Sequence, residues 1–335
     1  MIGNQTLLKS LSEILKTNGL IPEINNNENL YNFFNYINNN KEKFNNSFLL
    51  NYLYRNISSD DVSKRKTTAR DFEDFLGIVL GGKITDETIR TNDTHNSLFV
   101  ENDFITSFVK SNKREKIDIE FNNNYGFSIK TLMFDNREIN FGSFEKKALF
   151  YDFGINEFLD ERKGKSGIGL GSKPQLKKLF EIIEKNGEYE RFRKRFLHMF
   201  KYIFSDDILI AIKNNLIMDI YIINGNDFYQ LLENNSSSKE ELLTILNRWE
   251  GNSIRMDRSK ILSISKSIRL EFNFLTDSII REIEETEEKL SKYIIYYIND
   301  YKNKDKYKDL IINECNKILN KIDNKIYILN SSLGK

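Results

Sequence analysis

Cysteine is nearly missing from this 335-residue chain: Cys315 stands alone, which excludes an intramolecular disulfide framework and any cysteine-rich zinc module. Histidine is almost as scarce. His95 and His198 are the full complement, which removes most histidine-based metal and triad chemistry. Proline occurs twice. No run approaches the roughly 20 continuous apolar residues of a membrane span. The opening MIGNQTLLKSLSEILK is amphipathic and lacks the basic-then-apolar order of a signal peptide, so the expectation is a soluble cytoplasmic protein. An excess of one charge is lacking too. Lys+Arg 50 against Asp+Glu 49 gives a formal charge of +1, so affinity for nucleic acid has to come from local basic patches. What the chain does have is apolar material, 39% hydrophobic with 25 Phe and 16 Tyr, enough for a sizeable core.

Helical spacing of Leu7, Leu8, Leu11, Ile14, Leu15, then Phe33, Phe34, Ile37 and Phe48, Leu49, Leu53 predicts short helices over residues 1–64 joined by Asn-rich turns. A helix is expected over residues 68–80, stopped by Gly81-Gly82. The period then changes. Residues 97–100 read as a short strand, and KIDIEF alternates Ile117, Ile119 and Phe121 with Asp118 and Glu120. The turn NNNYG and the strand FSIKTLM complete a hairpin. A helix over 143–157, a Gly-rich basic loop over 162–173 and a long helical region over 174–204 follow. Residues 208–212 and 216–223 form a second hairpin through Asn214-Asn215, and a helix covers 227–233. Beyond the polar break NNSSSKE the chain reads as helical from Glu240, irregular over 249–260, and strongly helical from Ile268 onward. This order predicts an α/β (α+β) core over 65–235, with helical flanks at 1–64 and 236–335.

The hairpin carries the chemistry. Alternation puts Asp118 and Glu120 on one face of their strand, and Ser128 and Lys130 on one face of the next. Two carboxylates beside an ammonium suit phosphodiester cleavage. Carboxylates and a backbone carbonyl are hard ligands for Mg²⁺, and a lysine orients an attacking water. The alternation also turns the Ile129 side chain toward the core and leaves its carbonyl as a ligand. On the structural side, the same charges would serve as cross-strand ion pairs on a solvated sheet face.

Asp118, nine intervening residues (119 to 127), then Ser128-Ile129-Lys130 resembles the PD-(D/E)XK nuclease signature. More narrowly, the chain looks like a type II restriction endonuclease. The helix ARDFEDFLG, with Glu73 facing away from Phe72, Phe75 and Leu76, looks like that superfamily's first core helix, which often lends a carboxylate. The resemblance implies an αβββαβ mixed-sheet core, spanning residues 67–232 and not the flanks. It implies Mg²⁺-dependent, sequence-specific hydrolysis of double-stranded DNA leaving 5′-phosphates. It also implies a homodimer, with monomeric action as the alternative, and a companion DNA methyltransferase acting on the same site.

In those terms Asp118 ligates Mg²⁺ with the Ile129 carbonyl and one of Glu73, Glu120 or Glu145, and Lys130 positions the water. The chain departs from the motif at Ile117, where proline is usual, and at Ser128, where an acid is usual. Some restriction enzymes with Ser at that place recruit a glutamate from the following helix, a part that falls to Glu145. Ser128 itself would reach the metal only through water.

Two stretches are candidates for DNA contact. Arg162, Lys163, Lys165 and Lys173 surround four glycines in ERKGKSGIGLGSKPQL, where backbone and basic side chains can approach phosphates; a solvated loop is the alternative. Asn252, Arg255, Asp257 and Arg258 follow the single tryptophan in NRWEGNSIRMDRSK. Arg reads guanine, Asn adenine, and Asp accepts from cytosine; an ion-paired helix start anchored by Trp249 is the alternative. The stripe Phe192, Phe196, Phe200, Phe204 reads as core. Two rival functions remain open: a non-catalytic nucleic-acid-binding protein on a decayed nuclease scaffold, favoured by Ser128, and a helical interaction protein.

Overall fold

The computed structural model describes residues 30–45, 51, 54, 83–84, 118–120, 126–143, 149–150, 152–155, 173–204, 207–250 and 253–272, with residue 289 and helical positions between 306 and 320. Its elements run α1 (Leu30–Asn39), α2 (Lys41–Asn45), β1 (Lys83–Ile84), β2 (Ile119–Glu120), β3 (Gly126–Met133), β4 (Glu138–Ser143), α3 (Lys173–Lys185) and α4 (Tyr189–Ile203). They continue β5 (Ile208–Asn214), β6 (Ile217–Ile223), α5 (Gly225–Asn234), α6 (Lys239–Ile245), β7 (Leu246–Glu250), β8 (Ser253–Asp257), α7 (Arg258–Leu262) and β9 (Lys266–Glu271).

Two sheets form. The larger has six strands in the order β1-β2-β3-β5-β6-β9; the smaller has three, in the order β4-β8-β7. In the larger sheet β1, β2 and β3 pair antiparallel. β3 and β5 pair parallel, with Ser128 opposite Ile208 and Lys130 opposite Ile210. β5, β6 and β9 are again antiparallel. A parallel pair cannot be closed by a tight turn and needs a crossover; α3 and α4 lie on that crossover between β3 and β5. The molecule is therefore mixed α/β, with a sheet of parallel and antiparallel strands.

β5 sits at the centre because it is apolar on both faces. Ile208, Leu209, Ile210, Ala211 and Ile212 are all buried, the pattern of a strand covered from two sides. Ile208, Ile210 and Ile212 join a core with Leu132, the helices α3 to α6 and the small sheet. Within it Phe192, Phe196, Phe200 and Phe204 stack successively at 4.7–5.8 Å, as expected for a core stripe. α1 packs on β6 and α2 on β9, burying Leu30, Phe34, Ile37 and Phe44.

Several sequence expectations are corrected. The helical region 174–204 is two helices, because Gly187 adopts φ 73°. The Gly187 N–H donates to Glu184 O at 2.9 Å and the Glu188 N–H to Ile183 O at 2.9 Å, a glycine-centred stop that satisfies the last carbonyls of α3. Residues 138–142, given no element by the sequence, form β4 with Ser143, which ends that strand where a helix over 143–157 was expected to begin. That expected helix is broken as well. Leu149 is helical, but Phe150 and Asp152 lie in turns, and Asp152 and Gly154 have φ of 66° and 69°. Phe150, Phe153 and Ile155 are buried, so helix-like apolar spacing here serves a folded-over turn. Residues 249–260, expected to be irregular, form the β7–β8 hairpin and α7. Residues 266–271 are β9, a strand paired to β6, where helix was expected from Ile268.

The second hairpin lies as expected, with Asn215 at φ 51° in its turn, and α5 extends the helix expected over 227–233 by two residues at its start and one at its end. The helix expected over 68–80 and the strand expected over 97–100 lie outside the described residues. Among the described residues, no helix is long and apolar enough to cross a membrane.

Candidate active site

The pairing of β2 with β3 runs Ile119 opposite Phe127 and Glu120 opposite Gly126. One step further along β3, the main-chain groups of Ile129 go to side chains. The Ile129 N–H donates to Asp118 Oδ2 at 2.6 Å, and the Ile129 carbonyl accepts from Lys130 Nζ at 2.8 Å. The opposite edge of β3 is held by β5, where the Ser128 N–H donates to Asp207 O at 3.2 Å. Asp118 is anchored by its own N–H, which donates to Phe127 O at 3.0 Å.

The side chains close up on this edge. Lys130 Nζ lies 3.5 Å from Asp118 Oδ2, each side chain 13% exposed. It also donates to Ser128 Oγ at 3.3 Å, and Ser128 Oγ donates to the same Asp118 oxygen at 3.4 Å. Ser128 is buried and the Ile129 side chain fully so, which keeps the Ile129 carbonyl fixed by core packing. Three of the residues picked from the sequence, Asp118, Ser128 and Lys130, are thus brought together with the backbone of a fourth, Ile129.

A carboxylate oxygen and a backbone carbonyl oxygen converge here on one cation, the Lys130 ammonium. The donor set is hard oxygen, which fits Mg²⁺ rather than a thiophilic metal. Among the described residues no group of three or more His, Cys, Asp or Glu side chains comes together. Glu73 and Glu145 lie outside the described residues. Glu120 is placed by its backbone, opposite Gly126.

Of the residues read as DNA-contacting, four are described. Lys173 is exposed at the start of α3; Arg162, Lys163, Lys165 and Asn252 lie outside the described residues. Arg255 is half-buried on β8, opposite Asn140 and Arg248. Asp257 is the N-cap of α7, accepting from the Lys260 N–H at 3.0 Å and from Ser259 Oγ at 2.5 Å. Arg258 donates to the carbonyls of Phe134 and Asn136 at 2.6 and 3.0 Å, tying α7 to the β3–β4 turn. Trp249 is fully buried, its ring 5.3 Å from that of Phe150. For Asp257 and Arg258 the capped helix start is what the contacts display.

The sequence reading missed the three-stranded sheet and its cross-sheet ion pair. Arg248 Nε reaches Glu138 Oε2 at 2.9 Å and Oε1 at 3.2 Å, and its Nη2 reaches Oε2 at 2.5 Å, passing over the central strand β8. The signal was present as alternation: Ile139 and Phe141 on β4, Ile254 and Met256 on β8, all buried. Comparison with protein families, with characterised proteins and with solved structures finds no match for this chain.

Proposed function

We propose that this chain is a Mg²⁺-dependent, sequence-specific endonuclease of double-stranded DNA, similar to type II restriction enzymes of the PD-(D/E)XK superfamily. The observation that carries the reading is the convergence of Asp118 Oδ2 and the Ile129 carbonyl on Lys130 Nζ, at the edge of an antiparallel hairpin. The order of elements supports it. Three strands β1-β2-β3 pair antiparallel, then a helical crossover leads to β5, parallel to β3, the βββαβ part of the expected restriction-endonuclease-like core. On this reading β4, β7 and β8 are an added layer.

Asp118 and the Ile129 carbonyl would hold the metal, joined by one of Glu73, Glu120 or Glu145. Mg²⁺ bound there would supply charge stabilisation at the scissile phosphate and an acidified water. The chain's own residues do the positioning. The Ile129 N–H keeps the Asp118 carboxylate turned toward the β3 edge, and Lys130 presents N–H donors that orient the attacking water for in-line displacement. Hydrolysis would leave 5′-phosphate ends. A cytoplasmic homodimer acting on a palindromic site, beside a methyltransferase that protects that site, completes the reading.

The test is purified protein on unmethylated phage DNA with Mg²⁺ or EDTA. Discrete fragments that need Mg²⁺ and vanish in Lys130→Ala are expected; uncut DNA across several metals, or cutting that survives the substitution, would sink the assignment. The neutral Ser128 at the acidic position of the motif favours one second reading, a nucleic-acid-binding protein on a decayed scaffold. That protein would shift DNA in a gel in a salt-sensitive way and never cut it.

A further inference from the structure

The side chains described at the hairpin edge comprise one carboxylate, one ammonium and one hydroxyl, so their charges cancel. The usual acid at the position of Ser128 would add a negative charge beside Asp118; the neutral hydroxyl adds none. Among the described residues Lys130 Nζ faces three oxygens: it donates to Ile129 O at 2.8 Å and Ser128 Oγ at 3.3 Å, and it is ion-paired with Asp118 Oδ2 at 3.5 Å. Two of those oxygens are the ones assigned to Mg²⁺ above. A divalent ion on the same pair would stand within a few ångström of the ammonium, where like charges repel strongly in a half-buried setting.

We infer that Lys130 is the resident cation of this centre, and that divalent binding and withdrawal of its ammonium from Ile129 O and Asp118 Oδ2 are a single exchange. The inference rests on the nuclease reading. The exchange has a functional consequence: the ion that takes the oxygens also releases the lysine toward solvent, where the water and the phosphate arrive. The water-orienting group is therefore freed only in a centre that holds its metal. Ser128 remains behind as a neutral donor to Asp118 Oδ2, adding no charge that would hold the ammonium in place.

Lysine acetylation by an N-hydroxysuccinimide ester, read peptide by peptide by mass spectrometry, tests the exchange on the unmodified protein. Lys130 is expected to be sheltered in EDTA and to react several-fold faster in Mg²⁺, while Lys177 and Lys194, 62% and 75% exposed, keep their rates as internal references. Mn²⁺ binding followed by loss of the free-ion EPR signal supplies a second readout. Lys130→Met is expected to bind at least about tenfold more tightly than the parent protein, and Asp118→Asn more weakly than either. Unchanged or slower Lys130 labelling in Mg²⁺, or equal Mn²⁺ affinity in the parent and Lys130→Met, overturns the exchange and leaves the nuclease reading standing. Absence of Mn²⁺ binding by both proteins, with or without bulk DNA, overturns both.

Discussion

At the scale of the residue, Asp118 has two duties that substitutions can separate. Its carboxylate takes the Ile129 N–H and faces the Lys130 ammonium. Asp118→Asn keeps an acceptor for the N–H but loses the charge. Stability is expected to fall by no more than about 1–2 kcal/mol in a urea titration, the scale of one charge-assisted hydrogen bond. DNA cleavage is expected to fall at least about a hundredfold, the scale of a lost electrostatic contribution to a transition state.

Asp257, at the end of β8 in the small sheet, provides a separate residue-level test. Burial raises its pKa, but hydrogen bonds from the Ser259 hydroxyl, the Lys260 and Ser259 amides and the Asn247 side chain outweigh that, and its carboxyl ends below the usual carboxylate range. A carboxyl with a depressed folded pKa stabilises the protein above its unfolded value, and that contribution disappears as pH falls through the folded one. Asp257→Ala is expected to cost about 1 kcal/mol near neutral pH, as for an N-cap deletion. The difference from the parent should shrink below about pH 4, the unfolded carboxylate range. Parallel urea curves at neutral and acid pH check both.

At the scale of the element, β5 carries the fold. A cavity made at Ile210, fully buried opposite Lys130, strikes the large core and the strand that holds the site. Ile210→Ala is expected to destabilise by about 2–5 kcal/mol. The fluorescence of Trp249, the chain's single and fully buried tryptophan, reports the transition directly. The same central strand shows what was legible in the sequence. ILIAI is a continuous apolar run, so its burial and the hairpin with β6 could be read in advance. β4, β8 and β9 were not read. Each is a strand of five or six residues whose brief alternation is present but stands beside polar neighbours, and its pairing with β8, β4 or β6 across the chain establishes it as a strand.

At the scale of the whole molecule, if the proposed nuclease reading holds, a near-zero net charge leaves DNA affinity to a few local phosphate contacts. The logarithm of the binding constant is expected to fall linearly with the logarithm of salt, by about 0.9 per contact. Lys173, exposed at the head of α3, is expected to be one of them. Lys173→Ala should weaken binding to all DNA sequences alike and reduce that slope by about one. Fluorescence anisotropy across a salt series measures both, and an unchanged slope would remove Lys173 from the interface.

The amino-acid sequence by itself determined the local terms: the hairpin that sets Asp118 beside Ser128 and Lys130, the buried Ile129 and the phenylalanine stripe of α4. These follow from alternation and helical period, which act over a few residues. Tertiary structure decided the rest. The parallel union of β3 and β5 is closed across a 74-residue interval, from Met133 to Ile208, and β9 joins β6 from beyond three further helices and two strands of the second sheet. Local spacing carries no information about such partners, because the free energy that selects them comes from burying both faces of β5 at once. The centre shares that origin. Only with β5 occupying one edge of β3 does the Ile129 carbonyl emerge on the other, where Asp118 and Lys130 meet.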